Sequence, residues 1–221
     1  MSLEKIHLRK LLQLIYATPA KRRGSILSDI GSDARKLLSP DSSGGDFYGP
    51  FWADAKDYVA GKSDLREQTK GRIAANKSRQ RLYPLLTDGF MRVWTEKVRW
   101  RNEEFAFLPT SVKAQLPIDE LNATIKIENV VAVKIWNGAN RVIYPYFSEE
   151  PILPNDGARL GFWALSEALP EFKIDDLRII DVLRGSYFRP DDVPLQGNER
   201  EALVQRYGDL LAEWKKLRDK R

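Results

Sequence analysis

The fold is decided by residues 130–144, which read VVAVKIWNGANRVIY. Two stretches rich in β-branched residues flank Asn137-Gly138, and both turn positions tolerate the positive φ that a two-residue hairpin requires. The sequence therefore predicts an antiparallel hairpin. Pro145 follows at once, and because proline has no N–H to donate to a ladder, it predicts a sheet edge or the end of the strand.

Further predicted elements surround this hairpin on both sides. Period-two alternation predicts strands, and apolar residues every three or four positions predict helices. The predicted strands are 105–108, 112–116, 124–128 and 177–183, and the predicted helices are 3–17, 19–38, 49–60, 64–82, 84–101, 157–168 and 198–219. We expect an α+β fold, in which an N-terminal helical region packs on a small mixed sheet with helices on its faces.

Length and composition narrow the class of protein. The 221 residues allow one sizeable core, and we expect residues 1–60 to form an N-terminal helical region and residues 61–221 to form the α/β core. A flexible connector is predicted at residues 39–45. The sequence lacks a long apolar run and contains no cysteine, which argues against a membrane span and favours a cytoplasmic protein. The single histidine, His7, is expected to be an ordinary residue of the first helix.

Basic residues are concentrated in the first half of the chain. Residues 1–101 carry 20 basic and 11 acidic side chains, whereas residues 102–221 carry 16 and 20. The predicted helix at 64–82 has few large apolar residues, so it is either a solvated face or a surface for a polyanion. The candidate nucleic-acid-binding residues are Arg66, Lys70, Arg72, Lys77, Arg79, Arg81, Arg92, Arg99 and Arg101. Without a base-reading motif, we expect such binding to be backbone-directed and salt-sensitive.

From residue 84 to about residue 190, the order of predicted elements resembles the core of the PD-(D/E)xK nuclease-like superfamily, and most closely its exonuclease-type branch. The resemblance implies a restriction-endonuclease-like core in the order αβββαβ. In that branch a strand ends in hydrophobic-hydrophobic-Asp-x-Lys, and the next helix carries Gln and Tyr one turn apart. Tyr144 and Tyr146 stand here for the Asp and Lys, and Arg159 and Trp163 stand for the Gln and Tyr. Since a phenol titrates near ~10, the resemblance implies a fold without metal-dependent catalysis.

Two further groups of residues leave alternatives open. A displaced metal site would use Glu128 with Glu149 or Asp119 as ligands and Lys126 or Lys134 as the polarising cation. Otherwise Lys126 and Glu128 form a charge pair on a solvated sheet face. The aromatic group is either core or a stacking surface, and it comprises Tyr144, Tyr146, Phe147, Phe162 and Trp163.

Three functions follow from these observations. The first is a catalytically silent, nuclease-like protein that binds nucleic acid through the basic helix and needs no cofactor. The second is a protein-interaction or structural subunit whose basic helix faces an acidic partner or the protein's own acidic half. The third is a magnesium-dependent nuclease with displaced ligands. No membrane partner is expected, and the oligomeric state stays open.

Overall fold

The computed structural model of the protein describes residues 2–38, 46–98, 102–108 and 111–220. The helices are α1 (Leu8–Tyr16), α2 (Pro19–Leu38), α3 (Gly49–Val59), α4 (Leu65–Ala75), α5 (Tyr83–Arg92), α6 (Asn155–Ala168) and α7 (Glu199–Arg218). The strands are β1 (Lys5–His7), β2 (Phe105–Phe107), β3 (Ala114–Ile118), β4 (Ala123–Ile127), β5 (Val131–Ile135), β6 (Asn140–Tyr146), β7 (Leu177–Asp181) and β8 (Ser186–Phe188). No helix in these ranges combines the length and apolarity that crossing a membrane requires. The predicted connector at 39–45 and the candidates Arg99 and Arg101 lie outside the described residues.

The strands form two separate sheets. The smaller sheet has the order β1–β4–β3, with β1 parallel and β3 antiparallel to β4. The larger sheet has the order β2–β5–β6–β7–β8, and β6 and β7 are its parallel pair. The combination of helices and sheet confirms the α+β prediction. The predicted strands at 105–108 and 112–116 belong to different sheets.

The predicted hairpin is the β5–β6 pair, and its antiparallel ladder confirms the interpretation of residues 130–144. The connecting loop is longer than two residues, because the Ile135 N–H donates to Ala139 O, and of Asn137 and Gly138 only Gly138 has a positive φ, 86°. The prediction for Pro145 is confirmed, because this residue is the penultimate one of β6, in register with Ile180 of β7 but beyond Ile143, the last residue of β6 that pairs with β5. Tyr146 accepts a backbone hydrogen bond from Val182 on the β7 side. Because the backbone N and O atoms of successive residues point to opposite sides of a strand, the nitrogen of Pro145 points to the β5 side. The β5 ladder has already ended at Ile143, so no acceptor lacks the N–H that proline cannot supply.

Helix α6 connects the parallel strands β6 and β7 and lies against the larger sheet. A Cβ atom added to Gly161 would lie 2.7 Å from the side chain of Ile179, so glycine permits the close approach of helix and strand. The register pairs Tyr144 with Ile179 and Tyr146 with Asp181. The crossover thus fixes the end of β6 beside the end of β7.

The start of the chain departs from the prediction. Residues 5–7 are strand rather than helix, and Ile6 pairs in parallel with Ile125 of β4. His7 therefore ends β1 and precedes α1 instead of lying within a helix. Helical periodicity alone placed Leu3 in the helix, but pairing with a distant strand overrides such local preferences. Leu3 and Ile6 are nonetheless buried, as their apolar character predicts.

The core has one hydrophobic cluster on each face of the larger sheet. The first cluster joins the sheet to α1, α6 and α7, and it includes Tyr144 and Phe162. The second cluster joins the opposite face to α3 and α5, and it includes Phe51 and Ile143. Residues from the first 60 positions enter both clusters. The division of the chain at residue 60 stays a prediction.

Two predicted helices are shorter than expected. The basic helix ends with α4, and the side chain of Asn76 then accepts a hydrogen bond from Ser78 N and starts a 3₁₀ turn at Lys77–Arg79. The predicted helix at 84–101 continues from α5 as a π-helical turn, Val93–Lys97. Such turns widen a helix locally and change the direction of the side chains that follow.

Candidate functional site

Arg72 of the predicted basic helix is held by a carboxylate of this chain. Its guanidinium donates two hydrogen bonds to Asp54 of α3, at 2.9 and 2.8 Å, and the Asp54 side chain is only 7% exposed. The nearby Arg79 guanidinium lies 5.3 Å from the ring centroid of Tyr83. A bidentate bond to a buried carboxylate is a strong, directional contact, so Arg72 has a structural role.

Three more cations of this segment form ion pairs at the surface. The pairs are Arg66 with Asp88 at 2.9 Å, Lys70 with Glu67 at 2.7 Å, and Arg81 with Glu149 at 2.5 Å. The Arg81 hydrogen bond holds the pKa of the Glu149 carboxyl below its usual value. Within the described residues, Lys77 and Arg79 have no carboxylate partner. Four of the six predicted phosphate contacts on this segment are therefore already neutralised.

A second basic surface lies where the end of α5 meets β6, β7 and β8. It is a groove of about 790 Å³, termed the arginine groove. Its charged lining residues are Arg92, Lys97, Arg141, Arg178, Arg184, Arg189, Glu96 and Asp192. Six basic side chains thus face two acidic ones. Arg92 is the one described candidate from the sequence that lines this groove.

The sheet register brings arginines of two strands to one face. Ile143 of β6 pairs with Arg178 of β7 across the parallel ladder. Arg141 precedes Ile143 by two positions and shares its face. Ile143 and Ile180 are buried in the second cluster. Arg141 and Arg178 lie on the same face of the sheet, where this buried apolar surface ends near the end of α5. The groove is the open, charged end of that face.

Half of the groove's cations have carboxylate partners. The pairs are Arg189 with Asp192 at 2.7 Å, Arg184 with Asp181 at 3.4 Å, and Arg141 with Asp176 at 3.7 Å. Arg92, Lys97 and Arg178 have no such partner in the part of the chain that the structure describes. Arg178 Nη1 donates instead to two backbone carbonyls, those of Asp175 and Leu177, both at 2.6 Å. The positive charge of these three residues therefore remains available to an anion.

Arg184 shapes the groove wall. Its carboxylate partner, Asp181, is completely buried, and burial raises the pKa of the Asp181 carboxyl while Arg184 lowers it in part. The same guanidinium donates to the backbone carbonyls of Ser148 and Glu149. Arg184 therefore ties the segment after β6 to the end of β7, and its charge is committed within the protein.

Tyr144 and Tyr146, which the resemblance sets in place of an acid and a lysine, are part of the core. Tyr144 is 2% exposed and accepts a hydrogen bond from Arg9 N at 2.9 Å, and Tyr146 is 1% exposed and donates to Pro151 O at 2.8 Å. Burial raises the pKa of both phenols. Neither ring is available to a base or a metal. On α6, Arg159 donates to Pro194 O at 3.2 Å and Trp163 is half-buried.

The other aromatic residues proposed as a stacking surface are also enclosed. Phe147 and Phe162 are 2% and 0% exposed. Phe147 stacks on Tyr48 with ring centroids 5.0 Å apart and contacts the ring edges of Trp52 and Phe51. The rings around Phe147 stabilise the packing of α3 on the sheet, whereas Phe162 packs in the first cluster on the opposite face.

A smaller cavity of about 420 Å³ adjoins Tyr48 and Phe147. Three basic side chains line it, and each lies beside an acid: Arg9 and Asp46 at 2.6 Å, Lys10 and Asp29 at 3.2 Å, and His7 and Glu128 at 3.7 Å. Burial lowers the pKa of the His7 imidazole, and Glu128 opposes that shift. In contrast to the arginine groove, both cations of this cavity, Arg9 and Lys10, are balanced by nearby carboxylates.

The residues of the displaced metal site are dispersed. Lys126 and Glu128 lie 3.9 Å apart, as the charge-pair interpretation expects. Glu149 pairs with Arg81, Lys134 is exposed on β5, and Asp119 is exposed after β3. Across the described ranges, no group of three Asp, Glu or His side chains is placed to hold a metal ion.

Most of the groove's cations are not singled out by the pattern of the sequence. The missed cations are Lys97, Arg141, Arg178, Arg184 and Arg189. A signal was present in two of them, because Arg141 and Arg178 occupy strand positions whose period-two neighbours, Ile143 and Ile180, are buried. An arginine on an otherwise apolar strand face indicates that the face opens to solvent or to a ligand.

Comparison of the chain with protein-family models, with curated proteins and with solved structures finds no match in any of the three. The functional inference therefore depends on the chemistry of the side chains described above.

Proposed function

We propose that this protein binds the phosphate backbone of a nucleic acid through the arginine groove and does not cleave it. The observation that carries this proposal is the excess of cations in the groove, three of which lack a carboxylate partner among the described residues. Guanidinium groups match the geometry of phosphate oxygens and stay charged at any physiological pH. A groove of about 790 Å³ has room for more than one phosphate group.

The order of elements supports the nuclease-like part of the proposal. Within the larger sheet, the chain runs α5, β2, β5, β6, α6, β7, which is the order αβββαβ. Strands β3 and β4 interrupt this order and pair with β1 in the smaller sheet. Buried tyrosines at positions 144 and 146, where the family holds its acid and lysine, support a protein that binds without catalysis.

The chemistry of the groove favours contact with phosphates over reading of bases. Its cations come from strands, turns and a helix end rather than from one element that could enter a major groove. Such contacts position a protein on nucleic acid and make its affinity depend steeply on salt. We therefore expect little sequence preference.

Fluorescence anisotropy with a labelled oligonucleotide tests this proposal. A variant with Arg92→Gln and Lys97→Gln removes two unpaired groove cations. A matched variant with Arg66→Gln and Lys70→Gln removes two exposed cations that are paired. We expect the groove variant to bind about 10-fold more weakly, with a slope of log affinity against log salt that is flatter by about two. We expect the matched variant to stay within about twofold of the unaltered protein.

Several outcomes would overturn the proposal. One is the absence of binding at low salt, and another is binding that does not respond to salt. Equal losses in the groove variant and the matched variant would assign the effect to net charge. Poly-glutamate that binds as tightly as the oligonucleotide would favour an acidic protein partner instead. Metal-dependent cleavage of the oligonucleotide would disprove the catalytic silence.

A further inference from the structure

Trp136 is the most exposed large apolar side chain among the described residues, at 82%. It follows β5 at the turn of the β5–β6 hairpin, and its backbone is fixed in place. The Trp136 N–H donates to Glu104 O at 2.8 Å, and the preceding Ile135 N–H donates to Ala139 O at 2.8 Å. An ordered turn therefore holds the indole in solvent.

The hairpin connects Trp136 to the arginine groove. Arg141 lies opposite Val133 in the β5–β6 ladder. Trp136 lies three residues beyond Val133, which corresponds to about 10 Å along the strand at ~3.3 Å per residue. Lys134 is exposed between these two levels. At about 3.4 Å per stacked nucleotide, one strand that spans a few nucleotides can contact both the groove and the indole.

Arg141 and Trp136 lie on different faces of the hairpin. Arg141 shares the face of Ile143, on the side of the second cluster. Trp136 continues the alternation of Lys134, which places it toward the opposite face. A nucleic acid that contacts both must turn over the end of the hairpin. A duplex resists such a turn, because its persistence length is about 50 nm.

Building on the proposed function, we infer that the ligand is single-stranded nucleic acid, with its phosphates in the arginine groove and a base stacked on Trp136. An indole presents a large π face, and stacking on aromatic rings accepts any base. Lys134 adds a cation beside the ring for an adjacent phosphate. The inference specifies the form of nucleic acid, which the proposed function leaves open.

Anisotropy titrations of single-stranded and duplex oligonucleotides of one sequence test this inference. We expect Trp136→Ala to weaken single-strand binding roughly 5- to 150-fold, the range that corresponds to the loss of one stacked base. Duplex binding should change by less than about twofold, because a duplex does not expose a base face. Trp136→Phe should retain most of the single-strand affinity. The matched control is Ile152→Ala, which removes another large apolar side chain that is 62% exposed.

Tryptophan fluorescence adds an independent readout. We expect the single strand to protect the protein from acrylamide quenching, and this protection to disappear in Trp136→Phe. Equal single-strand affinities for Trp136→Ala and the unaltered protein would overturn the inference, while the salt-dependent loss in the Arg92→Gln, Lys97→Gln variant would keep the proposed function intact. A change in self-association on Trp136→Ala, with unchanged single-strand binding, would assign the indole to a protein contact. Circular dichroism of each variant verifies that it folds.

Discussion

Residues 64–82, which comprise α4 and the turn after it and are termed the α4 segment, carry six basic side chains, as the arginine groove does, but the two surfaces differ in what those side chains contact. On the α4 segment, four cations pair with carboxylates, three of them from outside α4: Asp54, Asp88 and Glu149. In the groove, three cations have no carboxylate partner in the described structure, namely Arg92, Lys97 and Arg178. Across the described ranges, the α4 segment thus keeps two unpaired cations, Lys77 and Arg79, and the groove keeps three.

The difference shows that a count of basic residues along a helix does not measure its affinity for an anion. A phosphate that approaches Arg81 must first displace Glu149, whose two oxygens accept from both guanidinium nitrogens. Surface pairs of this kind add little to stability, but they cancel the local field that attracts a polyanion. The groove keeps part of that field because three of its six cations have no carboxylate partner among the described residues.

The largest effect is expected on stability, from the α4 segment. Arg72→Met keeps most of the apolar stem but leaves the Asp54 carboxylate, 7% exposed, without its partner. Breaking a fully buried ion pair costs roughly 3–5 kcal/mol. Because the Arg72 side chain is 38% exposed, we expect a smaller loss in the free energy of unfolding, about 2 kcal/mol. Urea unfolding measures it.

The control for this variant is Arg66→Met. Its pair with Asp88 has side chains 59% and 55% exposed, so we expect a loss below about 1 kcal/mol. Oligonucleotide affinity of the folded Arg72→Met protein should stay within about twofold. A tenfold weaker affinity with unchanged stability would place Arg72 among the phosphate contacts and would erase the contrast between the two surfaces.

The second effect is a gain of binding. Asp88→Asn combined with Glu149→Gln removes the partners of Arg66 and Arg81 and frees two cations. We expect oligonucleotide affinity at low salt to rise about threefold to tenfold, with a steeper dependence on salt. Anisotropy titrations over a range of salt concentrations measure both changes.

The matched control removes two other acidic charges, through Glu167→Gln and Glu171→Gln. Both side chains are exposed and have no basic partner among the described residues. An equal gain of affinity in this control would mean that net charge, and not the release of particular arginines, sets the affinity. The ion pairs of the α4 segment would then have no special part in limiting it.

The elements that could be predicted are those with local signals. The β5–β6 hairpin follows from Asn137-Gly138 and the flanking β-branched residues. Strand β1 could not be predicted, because its pairing of Ile6 with Ile125 joins distant parts of the chain. The same limit applies to the assignment of β2 and β3 to different sheets, since each is only a short alternating segment in the sequence.

The candidate site was less predictable than the fold. Its arginines converge because the parallel ladder sets Ile143 beside Arg178, and a register between strands separated by a helix is not encoded locally. The neutralisation of Arg72 and Arg81 likewise depends on how α3 and the segment after β6 pack around α4. The sequence identified the basic residues of α4 but could not indicate which charges are already paired.

The smallest expected effect concerns the ion pair of Arg184 and Asp181. Arg184 lines the groove, but like the paired cations of the α4 segment it has a carboxylate partner. Burial raises the pKa of its partner Asp181 above the ordinary value of 3.8. The folded protein therefore binds the proton of the Asp181 carboxyl more tightly than the unfolded chain does. The stability that this proton adds is fully present below pH 3.8 and is lost as pH rises through the raised pKa. Asn cannot titrate, so the stability of the unaltered protein relative to Asp181→Asn should fall with rising pH. Urea unfolding over a pH series measures this difference, and Asp175→Asn controls for the loss of an acid. If the stability of the unaltered protein relative to Asp181→Asn instead rises with pH, pairing with Arg184 has a larger effect on the Asp181 pKa than burial has.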